Sequence, residues 1–212
     1  MKALNVVPLS IVCFGASAGG LEAYQKILRI LPDNTGFAFI IVDHQPAEGK
    51  ALLPEILPTV TKMPVILIAD GEVAKGNRVY VVPPGEQVTM EGDLFRLAPL
   101  NKVSGWPRNI SIFLKTLAED RKKRAIAVIL SGFDSDGAEA LQSVKDEGGI
   151  VFAQDFDTAR QPDMPKSAMR TGCVDFLLSP AKIASELVRI AAERRGSDAE
   201  DLRVPKEASF AS

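Results

Sequence analysis

Apolar positions in this chain follow two rhythms. Short unbroken runs rich in β-branched residues read as strands buried on both faces, and between them apolar residues recur at the spacing of one helix face. Residues 10–14 form the first expected strand, ending at Gly15. A helix over 21–31 follows, carrying Leu21, Tyr24, Ile27, Leu28 and Leu31 at helical spacing, and Pro32-Asp33-Asn34 stops it. The unbroken run 37–42 is the next strand, 52–57 a short helix, and 64–68 a further strand. Strand 78–82 then runs into Pro83-Pro84-Gly85, and two short strands around Glu91-Gly92-Asp93 predict an antiparallel hairpin inserted in the sheet. Beyond it come helix 110–118, strand 125–130, helix 137–147, strand 150–153, helix 165–171 before Gly172, and helix 181–194.

This alternation predicts an α/β fold: three layers, doubly wound, a mostly parallel sheet with helices on both faces. One domain over 8–194 accounts for it, and the polar sequence 195–212 reads as a tail or linker. At 212 residues, with 46% hydrophobic and 25% charged residues, the composition is that of a globular chain. A formal charge of -2 predicts no general affinity for nucleic acid or anionic membrane, and no apolar stretch approaches the ~20 residues a membrane helix needs. Cys13 and Cys173 lie in apolar contexts and read as buried thiols of a reducing compartment, hence a cytoplasmic protein. With one histidine and two cysteines, no zinc site is expected, and no cofactor.

Three loops carry candidate chemistry. Gly15-x-Ser17-x-Gly19 lies between a strand and a helix, the setting of a nucleophile elbow, where the helix N-terminus also favours an oxyanion. The same loop fits two other roles, a tight turn with Ser17 as N-cap and a phosphate cradle. The dinucleotide pattern G-x-G-x-x-G fails because Ser17 stands at its second glycine, but Asp43 occupies the place of a ribose ligand, so a nucleotide- or dinucleotide-binding module stays a competing class. His44, the only histidine, follows the second strand, at the carboxyl edge that also carries Ser17. The loop Ser131-Gly132-Phe133-Asp134-Ser135-Asp136-Gly137 offers two carboxylates, Asp134 and Asp136, either of which could orient the histidine or cap a helix. The order Ser, His, Asp excludes the α/β-hydrolase scaffold, whose order is Ser, Asp, His.

Taken in order, Gly15-Ala16-Ser17-Ala18-Gly19-Gly20, Asp43-His44-Gln45-Pro46, Val81-Val82-Pro83-Pro84-Gly85, Ile129-Leu130-Ser131-Gly132 with Asp136-Gly137, and Met164-Pro165-Lys166-Ser167-Ala168 resemble the catalytic domain of CheB-type protein-glutamate methylesterases. The resemblance covers nearly the whole expected domain. It implies Ser17 as nucleophile, His44 as general base and Asp136 as its partner. It also implies a backbone N–H at Phe133 as oxyanion donor, joined by the Ser17 turn at Ala18. The implied activity is hydrolysis of glutamate γ-methyl esters on a chemotaxis receptor or related signalling protein, with glutamine deamidation as a related reaction. A catalytically inactive docking homologue is the other form such a chain can take. The classical enzyme carries an N-terminal receiver domain, whereas here the catalytic motifs begin almost at Met1. The chain looks closer to the esterase portion of methylesterase–methyltransferase fusions or to a free-standing homologue, with a fused or associated methyltransferase as an expected partner. The family often carries an Asp where Ile110-Ser111-Ile112 stands here.

Overall fold

The computed structural model describes residues 8–44, 51–100 and 108–201; Gln45 and Pro46 of the histidine motif, and residues 202–212 of the expected tail, lie outside the described residues. In chain order the strands are β1 (Ile11–Ala16), β2 (Ala38–Asp43), β3 (Val65–Leu67), β4 (Arg78–Val81), β5 (Glu86–Glu91), β6 (Leu94–Pro99), β7 (Ala125–Ile129), β8 (Ile150–Gln154) and β9 (Phe176–Leu178). Seven of them form one sheet in the order β3-β4-β2-β1-β7-β8-β9, and every pairing in it is parallel. The helices are α1 (Gly20–Ile30), α2 (Leu53–Ile56), α3 (Asn109–Arg121), α4 (Leu141–Asp146), α5 (Asp163–Arg170) and α6 (Pro180–Asp201).

The unbroken apolar runs are the central strands, and each face of them meets a different helix layer. Val12, Phe14 and Ala16 pack in one cluster with Tyr24, Ile27 and Leu28 of α1 and with Ile183 and Leu187 of α6. Ile11 and Cys13 belong to the opposite cluster, with Ile110, Phe113 and Leu114 of α3, Leu141 of α4 and Met164 of α5. The three-layer expectation holds. Full burial of a side chain such as Ile27 or Leu28 contributes roughly 2 kcal/mol, so the amphipathic stripe of α1 largely sets its docking. Leu21, expected on that stripe, is instead partly exposed at its N-terminal end.

Several elements differ from expectation. The hairpin is not inserted in the main sheet: β5 and β6 form a separate two-stranded sheet, and Val88, Met90 and Phe95 bury against the α3 side. Pro83 and Pro84 follow β4 and cannot donate to a ladder, so the chain leaves the sheet there. A 3-10 turn (Ala138–Ala140) precedes α4 where one longer helix was expected. α6 continues past the expected end at Arg194 to Asp201, held by an ion pair of Arg124 with Asp198 and by Arg194 donating to Ser10 Oγ and Lys123 O. β9, three residues at the sheet edge, was not expected at all.

The strand order positions the site. From β1 the chain builds outward through β2 toward β4 and β3, and then returns to build outward through β7, β8 and β9. The crossovers diverge at β1 and β7, and in an open parallel sheet that divergence leaves a crevice outside the strands' carboxyl ends.

Candidate active site

Ser17, His44 and the 131–137 loop all leave the sheet at this crevice. β1 and β2 run in register from Ile11 opposite Ala38 to Ala16 opposite Asp43, so Ser17 and His44 are the next residues on two adjacent strands. The His44 N–H extends the ladder by donating to Ala16 O at 3.3 Å. On the other side, Ser17 N–H donates to Ser131 O at 2.9 Å, which ties the serine turn to the end of β7.

The turn itself is built from small residues for steric reasons. Gly19 is the N-cap of α1 and sits at φ 87°, a conformation side chains rarely adopt, and a Cβ there would lie 2.5 Å from Ser131 Oγ and 2.8 Å from Arg160 Cβ. The expectation that Ser17 might cap α1 fails, because Gly19 is the cap and no side chain bonds to it. Ser17 is half-buried, and its Oγ makes no hydrogen bond with a described residue. Gly132 faces it across the crevice; a Cβ on Gly132 would lie 1.9 Å from Met164 Sδ and 3.1 Å from Ser17 Cβ. Its neighbour Ser131 is buried and fully engaged: its N–H goes to Gln154 Oε1, its hydroxyl to Ala18 O, and it accepts from Gln161 N–H.

The two expected oxyanion donors are free. Neither the Ala18 nor the Phe133 N–H donates to another described residue, whereas the N–H groups of Ser17, Gly20 and Gly132 are committed to Ser131 O, Ser17 O and Gln161 O.

Both candidate carboxylates reach the histidine, which neither the spacing nor the resemblance anticipated. Asp136 Oδ2 lies 2.8 Å from His44 Nε2, and Asp134 Oδ2 lies 2.9 Å from Nδ1. Their settings differ. Asp136 is buried at the N-terminus of α3, where Oδ2 also accepts from Ile110 N–H and Oδ1 accepts from the Ser111 N–H, the Ser111 hydroxyl and its own neighbour Gly137 N–H. A helix N-terminus with free N–H groups suits a carboxylate, and α3 has no side-chain cap of its own. Ser111 thus supplies two of the donors that fix Asp136. Asp134 has one other bond, from Asp136 N–H to its Oδ1, and its side chain is 20% exposed against 3% for Asp136.

The charges follow from these contacts. Burial alone would raise the Asp136 carboxyl, but hydrogen bonds from His44 and Ser111 and from the backbone of Ser111 and Ile110 outweigh it and hold the group below the usual carboxylate range. For His44, burial pulls downward, and the hydrogen bonds and charges of Asp134 and Asp136 win, raising it to about 9. Asp43, behind the histidine, is pushed up to about 7 by burial, partly offset by the His44 charge and its backbone N–H. Next to this corner, the Tyr24 hydroxyl is buried with no partner among the described residues.

A cavity of about 520 Å³ adjoins the two carboxylates, walled in part by Arg108, Phe133, Asp134, Asp136 and Arg170. Among the described residues Phe133 is the most solvent-exposed of the large apolar side chains, 60% exposed, and it lines this cavity. No group of His, Cys, Asp and Glu that could hold a metal ion occurs among the described residues. Nor is any described helix long and apolar enough to cross a membrane.

An open parallel sheet with serine, histidine and aspartate gathered at its switch point defines an α/β protein equipped for acyl-transfer chemistry. The CheB methylesterase family profile matches residues 12–187, and the chain belongs to that family. A Leptospira interrogans protein described as a candidate protein-glutamate methylesterase/protein-glutamine glutaminase is 33% identical over 180 residues, 84% of this chain and 93% of that protein. A Pyrococcus abyssi protein-glutamate methylesterase/protein-glutamine glutaminase is 31% identical across 87% of this chain but only 51% of its own length. The crystal structure of the Thermotoga maritima CheB methylesterase catalytic domain superposes with a TM-score of 0.80 at 31% identity, covering 87% of this chain and all of that one.

Proposed function

We propose that this chain is a protein-glutamate methylesterase in which Ser17 is the nucleophile, His44 the general base and Asp136 the residue that orients the base. The observation that carries the assignment is the buried His44–Asp136 pair, anchored on the α3 N-terminus and adjacent in register to the half-buried Ser17. With Nε2 bound to Asp136, Nδ1 is the nitrogen that takes the Ser17 proton. Ser17 Oγ then attacks the ester carbonyl of a methylated glutamate on a protein substrate, and the oxyanion is met by the unengaged N–H groups of Ala18 and Phe133. His44 returns the proton to the departing methoxide, methanol leaves, and a water deprotonated by the same imidazole hydrolyses the acyl-enzyme to free glutamate.

Attack on the amide of a glutamine would form the analogous tetrahedral intermediate, release ammonia and leave the same acyl-enzyme, which makes deamidation a second reaction of the site. A chemotaxis receptor or related signalling protein fits as substrate. A methyltransferase, fused or associated, is the reaction partner that supplies the ester, and a cytoplasmic setting accords with the two buried free thiols. The deciding experiment is labelling with a fluorophosphonate probe alongside methanol release from a methylated receptor peptide. Both are expected to be lost in Ser17→Ala. Labelling of Ser17 without ester hydrolysis would instead favour a docking homologue.

A further inference from the structure

In the structure the nitrogen that Ser17 needs is already taken. His44 Nδ1 is 2.9 Å from Asp134 Oδ2 and Nε2 is 2.8 Å from Asp136 Oδ2, so both ring nitrogens face carboxylates and the ring carries a proton on each. Such an imidazolium has no lone pair with which to accept the Ser17 proton. Accordingly, Ser17 Oγ has no hydrogen-bond partner among the described residues.

We propose that Asp134 is a positioning residue that holds the resting imidazole away from Ser17 by occupying Nδ1, and that a ligand entering the adjoining cavity releases it. This role rests on Ser17 and His44 acting as described under the proposed function.

Three observations support it. The two carboxylates are unequally fixed: besides His44, Asp136 accepts from Ile110, Ser111 and Gly137, whereas Asp134 accepts only from the Asp136 N–H. Asp134 is therefore the one that can leave. It follows the exposed Phe133 in a loop and lines the 520 Å³ cavity, so a substrate chain seated there reaches it directly. The single bond from Asp136 N–H to Asp134 Oδ1 is a local turn contact, which can keep the loop in shape while Oδ2 swings off the ring. When Asp134 departs, the Nδ1 proton passes to water. The neutral imidazole keeps Nε2–H on Asp136, and its free Nδ1 accepts the Ser17 hydroxyl proton. Atoms and charge balance with no other reactant.

The other charged or titratable groups around this corner, among the described residues, sit on every element packed there. Asp43 ends β2; Cys13 and Tyr24 lie inward on β1 and α1; Arg108 and Glu139 pair across the cavity; Asp163 and Arg170 line it from α5. None of them bonds to Nδ1.

The test is Asp134→Asn in the full chain, with Asp134→Ser as the second variant. Each keeps a side-chain oxygen for the Asp136 N–H and neither offers a carboxylate to the ring. Because His44 is the only histidine, its imidazole resonances report the site without ambiguity. In both variants the His44 titration midpoint is expected to fall by about one pH unit or more, and fluorophosphonate labelling at pH 7 to quicken up to roughly tenfold, the factor by which a one-unit lower midpoint raises the fraction of neutral imidazole there. An unchanged titration midpoint in a folded variant would overturn the proposal, and so would labelling that slows at every pH. If wild-type protein is not labelled at any pH, the esterase assignment fails, and the His44 titration still decides whether Asp134 holds the ring.

Discussion

His44 Nε2 and Asp136 Oδ2 meet at 2.8 Å, and the same carboxylate receives the first free N–H groups of α3. One buried anion therefore caps the helix and, in the proposed function, orients the base. Replacing it separates the two functions. Asp136→Asn is expected to lower the rate of ester hydrolysis on the order of 10³–10⁴-fold, because the amide no longer holds the imidazole in the needed tautomer. The same change costs roughly 1–3 kcal/mol of stability, since donors converging on two carboxylate oxygens find only one acceptor. Paired kinetic and urea-unfolding measurements check both.

Ser111 gives a graded version of the same dependence. Its hydroxyl donates to Asp136 Oδ1 at 2.6 Å and accepts from Gly137 N–H at 2.8 Å, in a fully buried position. Ser111→Ala is expected to destabilise the fold by about 1–2 kcal/mol and to reduce kcat far less than Asp136→Asn, because the two backbone donors remain. Steady-state kinetics on the two variants side by side would show whether that ranking holds.

The glycine across from Ser17 is a packing requirement. In Gly132→Ala the new methyl would overlap Met164 Sδ and crowd Ser17 Cβ, so the loop must shift, with an expected cost of about 1–3 kcal/mol and a marked loss of labelling. Pairing it with Met164→Ala tests the cause. The Tm loss of the double variant should be smaller than the sum of the two single losses, since the clash is gone; strict additivity would place the strain elsewhere.

Stability should fall as the pH is raised through neutrality, for two reasons of the same sign. His44 moves from an ordinary 6.5 to about 9 in the folded protein, so its contribution is fully present below about 6.5 and is lost as pH climbs through 9. Asp43, raised by burial from 3.8 to about 7, keeps its proton longer when folded, so the native state binds more protons and stability drops between those values. Asp136 acts oppositely: held below the usual range, it stabilises above its unfolded value and ceases to do so as acid protonates it. Asp43→Asn is therefore expected to be more stable than wild type at pH 8, with the difference shrinking toward pH 4, as read from thermal unfolding across the series.

Much of this arrangement was legible along the chain, because the strands buried on both faces are unbroken apolar runs and the polar loops fall at their carboxyl ends. The parallel pairing of β1 with β2, which sets Ser17 beside His44, followed from a short crossover through α1. Two aspartates two positions apart in a loop cannot be ranked by spacing, and the chain gives no sign that both reach one imidazole, since that depends on how α3 captures Asp136. Ser111 stood out only as a departure from the family pattern, and its role as a donor is tertiary. β9 was too short to register. The end of α6 lacks an apolar period because it is held by the Arg124–Asp198 and Arg194–Ser10 contacts rather than by a buried stripe.

The most direct measurement is methanol release from a methylated receptor peptide by wild-type protein and by Ser17→Ala, with circular dichroism confirming that both are folded. Wild type should release methanol at a rate that rises with pH toward 9, and Ser17→Ala should release none above background. Undiminished release by Ser17→Ala, or no release by wild type anywhere between pH 6 and pH 10, would contradict the assignment of Ser17 as a methylesterase nucleophile.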